Sequence, residues 1–169
     1  MKTARPLVAL MVMAVLAVGG YLVFQGFGRS ETVPDVGYTL LDGTRSSTTV
    51  LRGKVVLINF WATSCTTCVH EMPQIVATHE KFKQRGFETL AVAMSYDPPA
   101  YVINFAESRK LPFAVAIDNT GAIAKSFGNV ELTPTSVLVN KRGEIVKRYV
   151  GEPDFAALHA LVDKLLSEG

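Results

Sequence analysis

The sequence predicts an α/β fold: one sheet with an antiparallel edge, covered by helices. Three observations carry that expectation. Lys54–Trp61 is a continuous apolar run rich in Val and Ile, the mark of a strand buried on both faces. Strand-like and helix-like segments then alternate down the chain, which calls for crossover connections. Two further strands, joined by a loop of hairpin length at Lys141-Arg142-Gly143, precede a final amphipathic helix. With 169 residues, the chain is long enough for one domain with a substantial core.

Each element has a local reason. Gly37–Leu41 and Thr44–Val50 flank Asp42-Gly43, a hairpin signal. Arg52-Gly53 turns the chain into the central strand. A helix is expected over Cys65–Arg85, kinked at Pro73 because proline deletes the N–H that would bond to Val69. Gly86 ends it, and Phe87–Ser95 reads as a second buried strand. Asp97-Pro98-Pro99 opens a helix to about Arg109, with Asp97 as the expected N-cap and proline in the first turn. Phe113–Ile117 is a short strand and Asn119–Phe127 a short helix. Ser136–Asn140 and Glu144–Val150 form the terminal hairpin. Asp154–Ser167 closes the chain as a helix with Phe155, Leu158, Leu161, Val162 and Leu165 on one face.

The N-terminus is organised differently. Leu7–Phe27 is an uncharged run, after a six-residue start that carries Lys2 and Arg5. As a helix it would be about 31 Å long, the thickness of a bilayer core. The basic residues ahead of it favour a cytoplasmic N-terminus and an extracytoplasmic remainder, although Arg29 weakens the contrast. The competing reading is a signal peptide cleaved near Ala17-Val18-Gly19, but the apolar run extends far past that site. Residues 28–34 are read as a linker and 35–169 as the folded domain. Net charge is +2 with no basic stripe, which argues against nucleic-acid binding. Mean hydropathy is +0.25, the excess lying near the N-terminus.

The chemistry points to Cys65 and Cys68, the only two cysteines. They sit where the central strand runs out and a helix begins. A helix N-terminus offers unpaired N–H groups and partial positive charge, which favour the thiolate, the reactive form of cysteine. A spacing of three places the second sulfur one turn behind the first, within bonding reach. A single CxxC is too sparse to be a stapling framework, so its purpose reads as reactivity. Half of a zinc site is a weaker reading, since no second CxxC exists and His70, His79 and His159 are scattered. Covalent haem attachment needs histidine directly after the second cysteine, where Val69 stands.

FWATSCTTC, Pro73 five residues after Cys68, and Thr133-Pro134 ahead of a strand together resemble the thioredoxin family. LRGKVVLINFWA, the CxxCxxEMP run, the leading hairpin, the apolar N-terminus and the extra helix–strand segment near 98–117 resemble its membrane-anchored TlpA-like branch, which includes reductases of cytochrome c maturation. The resemblance covers about Val33 to Glu168. It implies a thioredoxin-like fold with an N-terminal β-hairpin and a helix–strand insertion, preceded by one transmembrane helix. It also implies a redox-active Cys65–Cys68 disulfide, with Cys65 as the exposed attacking thiol and Cys68 as the buried resolving one. Trp61 would cover the site. Pro134 would be cis and face the disulfide, and the backbone at Thr133 would bind an extended substrate. Glu71 would tune cysteine acidity; a solvated helix position is its plainer reading. Where thioredoxins carry a buried Asp, this chain has Asn59, which cannot titrate. Thr66-Thr67 between the cysteines supplies neither proline nor cation.

The expected function is an extracytoplasmic protein-disulfide reductase held in the cytoplasmic membrane, with its catalytic domain on the periplasmic side. Its partners would be protein disulfides and dithiols and a membrane thiol electron donor, with no cofactor and no metal. A disulfide oxidase or isomerase, a peroxiredoxin-like peroxidase and a non-enzymatic docking module remain as alternatives. The peroxidase reading lacks the proline its family sets ahead of the attacking cysteine.

Overall fold

The computed structural model describes residues 12–21 and 31–168. Two compact units divide the chain at Ser30/Glu31. In the first, residues 12–21 form helix α1, exposed along its length. No helix among the described residues is long and apolar enough to cross a membrane. Ten helical residues reach only about 15 Å, half a bilayer core. The span expected over Leu7–Phe27 is therefore not seen, and its remaining residues lie outside those described.

The second unit begins with a hairpin, β1 (Gly37–Thr39) and β2 (Arg45–Ser47), turned at Gly43 with φ of 85°. Asp42 Oδ1 accepts from Thr44 N across that turn (2.8 Å). A 3-10 turn at Thr48–Leu51 replaces the last residues of the expected second strand. The main sheet contains β3 (Val55–Trp61), β4 (Phe87–Ala93), β5 (Ala114–Ile117), β6 (Thr135–Val139) and β7 (Ile145–Val150) in the order β5-β4-β3-β6-β7. β3, β4 and β5 run parallel; β6 and β7 are antiparallel to their neighbours. The antiparallel edge is where the sequence predicts it.

The helices are α2 (Thr66–Phe82), α3 (Pro99–Arg109), α4 (Ala122–Ser126) and α5 (Phe155–Ser167). They fill both faces of the sheet, and the period of two along β3 sorts the core. Val55, Leu57 and Trp61 join residues of α2, α3 and α5; Val56, Ile58 and Phe60 meet Tyr38 of β1 and Ile123, Ala124 and Phe127. Helix α2 continues through Pro73 as one element and gives way to a 3-10 turn at Lys83, with Gly86 closing at φ 92°. Asp154 caps α5, accepting from Ala156 N and Ala157 N. Glu31–Val33, expected in the linker, pairs with the β6–β7 turn: Thr32 bridges Glu144, and Ile145 N donates to Glu31 O (2.7 Å).

One expectation is overturned. Asp97 does not cap α3. Pro98 is the cap residue and makes no side-chain bond. With Pro99 at the first helical position, Asp97 stands one residue too early to reach the free N–H groups, and its carboxylate goes elsewhere.

Candidate active site

The parallel sheet ends at one edge in the loops after β3 and β4, and the reactive pair lies there. Cys65 is the N-cap of α2, its backbone extended (φ −88°, ψ 105°). Its Sγ accepts from Cys68 N at 3.1 Å. The sulfur thus takes the place a Ser or Asp oxygen holds in an ordinary cap. Cys65 and Cys68 form a disulfide. Cys65 is half-buried, whereas Cys68 is fully enclosed in the core with Trp61 and Met72. That asymmetry separates the two sulfurs by access, one open to a partner and one reachable only from inside.

Thr133-Pro134 comes to the same end of the sheet through strand register. Thr135 pairs with Phe60, so Pro134 stands opposite Trp61 where the β3–β6 ladder ends. The Thr133–Pro134 bond is cis. Pro134 is buried, its carbonyl accepting from Gly151 N (2.8 Å), and Thr133 is half-buried, its hydroxyl 3.1 Å from Tyr96 Oη. Trp61, expected to cover the site, has no exposed surface; its ring packs on Phe105 of α3 with centroids 5.0 Å apart. It backs the pair from within the core.

Glu71 is not a solvated helix residue. It is fully buried. Asn59 Nδ2 donates to its Oε1 (3.0 Å) and also to Ser136 Oγ (3.0 Å), tying α2, β3 and β6 together. Glu71 Oε2 and Asn59 Oδ1 have no hydrogen-bond partner among the described residues. Burial pushes the Glu71 carboxyl up to about 7, the Asn59 bond opposes that rise, and the carboxylate of Glu152 adds to it. A buried acid that titrates near neutrality stands one turn beyond Cys68. The signal was present in the sequence. Cys68, Met72, Ile75, His79 and Phe82 mark the inward stripe of α2, and position 71 falls within it.

Two contacts escaped the sequence reading. One is the Asn59–Ser136 bridge. The other is Asp97, whose carboxylate accepts from both the N–H and the hydroxyl of Thr63, two residues before Cys65. Among the described residues no group of three or more His, Cys, Asp or Glu could hold a metal ion.

A CxxC pair at a helix start, one turn from a buried acid and at the same end of a five-stranded sheet as a cis X–Pro bond, defines a thioredoxin-like redox protein. The chain belongs to the redoxin family, whose pattern matches residues 29–162. It is similar to the thiol-disulfide oxidoreductase ResA of Bacillus cereus, 32% identical over 98% of this chain and 99% of that one. A solution structure of a Neisseria meningitidis protein placed among the thioredoxins is 42% identical, with TM-score 0.77 over 83% of this chain and 93% of the other. A thiol:disulfide interchange protein of Chlorobium tepidum, 25% identical, superposes with TM-score 0.75 over 83% of this chain and 99% of its own. The family and the CxxC pair together make the chain a thiol–disulfide oxidoreductase.

Proposed function

We propose that this enzyme reduces protein disulfides on the extracytoplasmic side of a membrane to which residues 7–27 anchor it. One observation carries the chemistry: a half-buried sulfur that caps a helix is bonded to a sulfur sealed in the core. In the reduced enzyme the Cys65 thiolate, favoured by the helix N–H groups, attacks a sulfur of the partner's disulfide. A mixed disulfide forms and the partner's other sulfur leaves as a thiolate. Cys68 then loses its proton and attacks Cys65 Sγ. The Cys65–Cys68 bond closes and the second partner sulfur leaves, so the partner gains the two electrons that the pair loses. Glu71, titrating near neutrality behind Cys68, takes the Cys68 proton. Thr133 and Pro134 hold the partner's extended backbone, and Trp61 keeps water from beneath the pair. A membrane thiol carrier returns the pair to the dithiol.

The reducing direction is supported by the dipeptide Thr66-Thr67. It offers only hydroxyls, whereas a strong oxidant stabilises its thiolate heavily, as with a neighbouring cation. Extracytoplasmic placement is supported by the apolar run after Lys2 and Arg5, and by similarity to ResA over nearly the whole chain.

The test is a trap. Cys68→Ser should accumulate partners in dithiothreitol-sensitive adducts, and Cys65→Ser should accumulate none. Identification of the adducts names the substrates, with protein disulfides of cytochrome c maturation as the class expected from the sequence resemblance. Equilibration against a glutathione or dithiothreitol series decides direction: a potential at the strongly oxidising end reverses it to oxidase.

A further inference from the structure

The redox cycle assigns no task to Asp97, although it is only 2% exposed and lies outside the CxxC helix. Its two carboxylate oxygens are spent on a single residue. Oδ2 accepts from Thr63 N at 2.6 Å, and Oδ1 accepts from Thr63 Oγ1 at 2.5 Å. Thr63 in turn is the second residue of the turn that launches the reactive pair, since Cys65 N donates to Ala62 O at 3.2 Å and closes Ala62–Cys65. The same two loops are already joined by backbone. Met94 N donates to Trp61 O (3.0 Å) and Asp97 N to Met94 O (2.9 Å). A buried carboxylate held by charge-assisted bonds to a backbone N–H and a hydroxyl is a directional fastener. No helix end uses it, because Pro98 is the cap of α3 and Asp97 stands one residue before it.

We infer that Asp97 is a positioning residue for the thiol–disulfide reaction: by clamping Thr63 it fixes the turn that aims Cys65 Sγ at the N-terminal N–H groups of α2. The physical reason lies in what the turn must achieve. Stabilisation of a thiolate by a helix terminus is steep in distance and angle, and it fades within the first turn. Sγ already lies 3.1 Å from Cys68 N in the disulfide. In the dithiol the covalent bond no longer holds it there. The turn, together with the helix bond from Val69 N to Cys65 O (3.0 Å), then keeps the sulfur on the N–H groups, and the turn is held at Thr63. The inference rests on the dithiol reading of the site and not on the direction of electron flow. The ionisable groups around the clamp and the helix start are Tyr101 and Arg109 of α3, which line a cavity with Thr63, together with Glu71, Glu152 that acts on it, and His70, which is 3.2 Å from Glu152. Neither Glu71 nor His70 is hydrogen-bonded to Thr63 or Asp97, so changing the clamp leaves both in place.

The experiment reads the rate of Cys65 alkylation by iodoacetamide against pH in the reduced full-length protein, with the thermal midpoint measured alongside. Thr63→Val removes the hydroxyl at constant shape, and Asp97→Ala removes both acceptors that Thr63 uses. Both should move the alkylation midpoint upward by about half a unit or more, which is about a threefold loss of thiolate below the midpoint. Thr63→Ser, which keeps the hydroxyl, should restore the wild-type profile. Unchanged profiles with a lowered thermal midpoint would make the clamp a loop brace and overturn the inference. A downward shift in Asp97→Ala would overturn it too, because the carboxylate would then act through its field on the sulfur. If the wild type itself shows no depressed midpoint, the dithiol reading of the site fails, a result distinct from either of these.

Discussion

At Glu71 a single carboxyl couples the site to the stability of the molecule. Its folded pKa stands near 7 against an ordinary value of 4.5. The folded protein therefore holds this proton more tightly than the unfolded chain does. The resulting stability is complete below pH 4.5 and is lost as pH rises through about 7. The shift corresponds to something on the order of 3 kcal/mol. Glu71→Gln removes the titration. Urea midpoints of the oxidised protein should agree between the two forms at pH 4, while at pH 8 the variant should be the more stable. Parallel curves across that range would place the charge in a wetter site than burial indicates. The same substitution should slow closure of the mixed disulfide by on the order of 10², the usual worth of a positioned proton acceptor. Stopped-flow fluorescence of Trp61, which shares a core cluster with Cys68, should follow that step. Asn59 is part of the same unit. Its amide cannot titrate, so it orients the acid without competing for the proton.

The elements are set by local chemistry that their packing then uses. Asp154 satisfies two free N–H groups of α5, and Asp118 does the same for α4 through Ile123 N and Ala124 N. Asp154→Ala should cost about 1 kcal/mol, the ordinary worth of an N-cap, read as a lower denaturant midpoint with an unchanged slope. Leu158→Ala on the same helix should cost about 2–5 kcal/mol, because Leu158 is fully buried between α5 and the sheet and leaves a cavity. The contrast separates capping from packing within one helix. At α2 the cap and the chemistry coincide, since the capping atom is a reactive sulfur. The element that orders the site is therefore also the one that activates it.

For the whole molecule, both core clusters lie within Glu31–Gly169. A chain starting at Glu31 should fold cooperatively, keep the Cys65–Cys68 bond and exchange thiols at the full-length rate. Only the full-length chain should sediment with membranes. Circular dichroism melts, thiol counting and fractionation check each part. A full-length protein recovered wholly in the soluble fraction would remove the anchor from the proposed function and leave its chemistry intact.

The sequence by itself determined the α/β class, the antiparallel edge, the hairpin at Asp42-Gly43, the closing amphipathic helix and the position of Cys65 at a helix start. These are local facts: period, turn residues and the alternation of strand with helix fix them within a few residues of chain. Tertiary structure alone decided that Glu71 is buried against Asn59 and Ser136, that Trp61 faces inward, and that Asp97 abandons its own helix for Thr63. Each joins residues 12 or more positions apart, except for Trp61, whose direction depends on which helices cover β3. A polar side chain chooses the partner nearest in space, and nearness between distant segments exists only once the sheet and its helices have closed over one another.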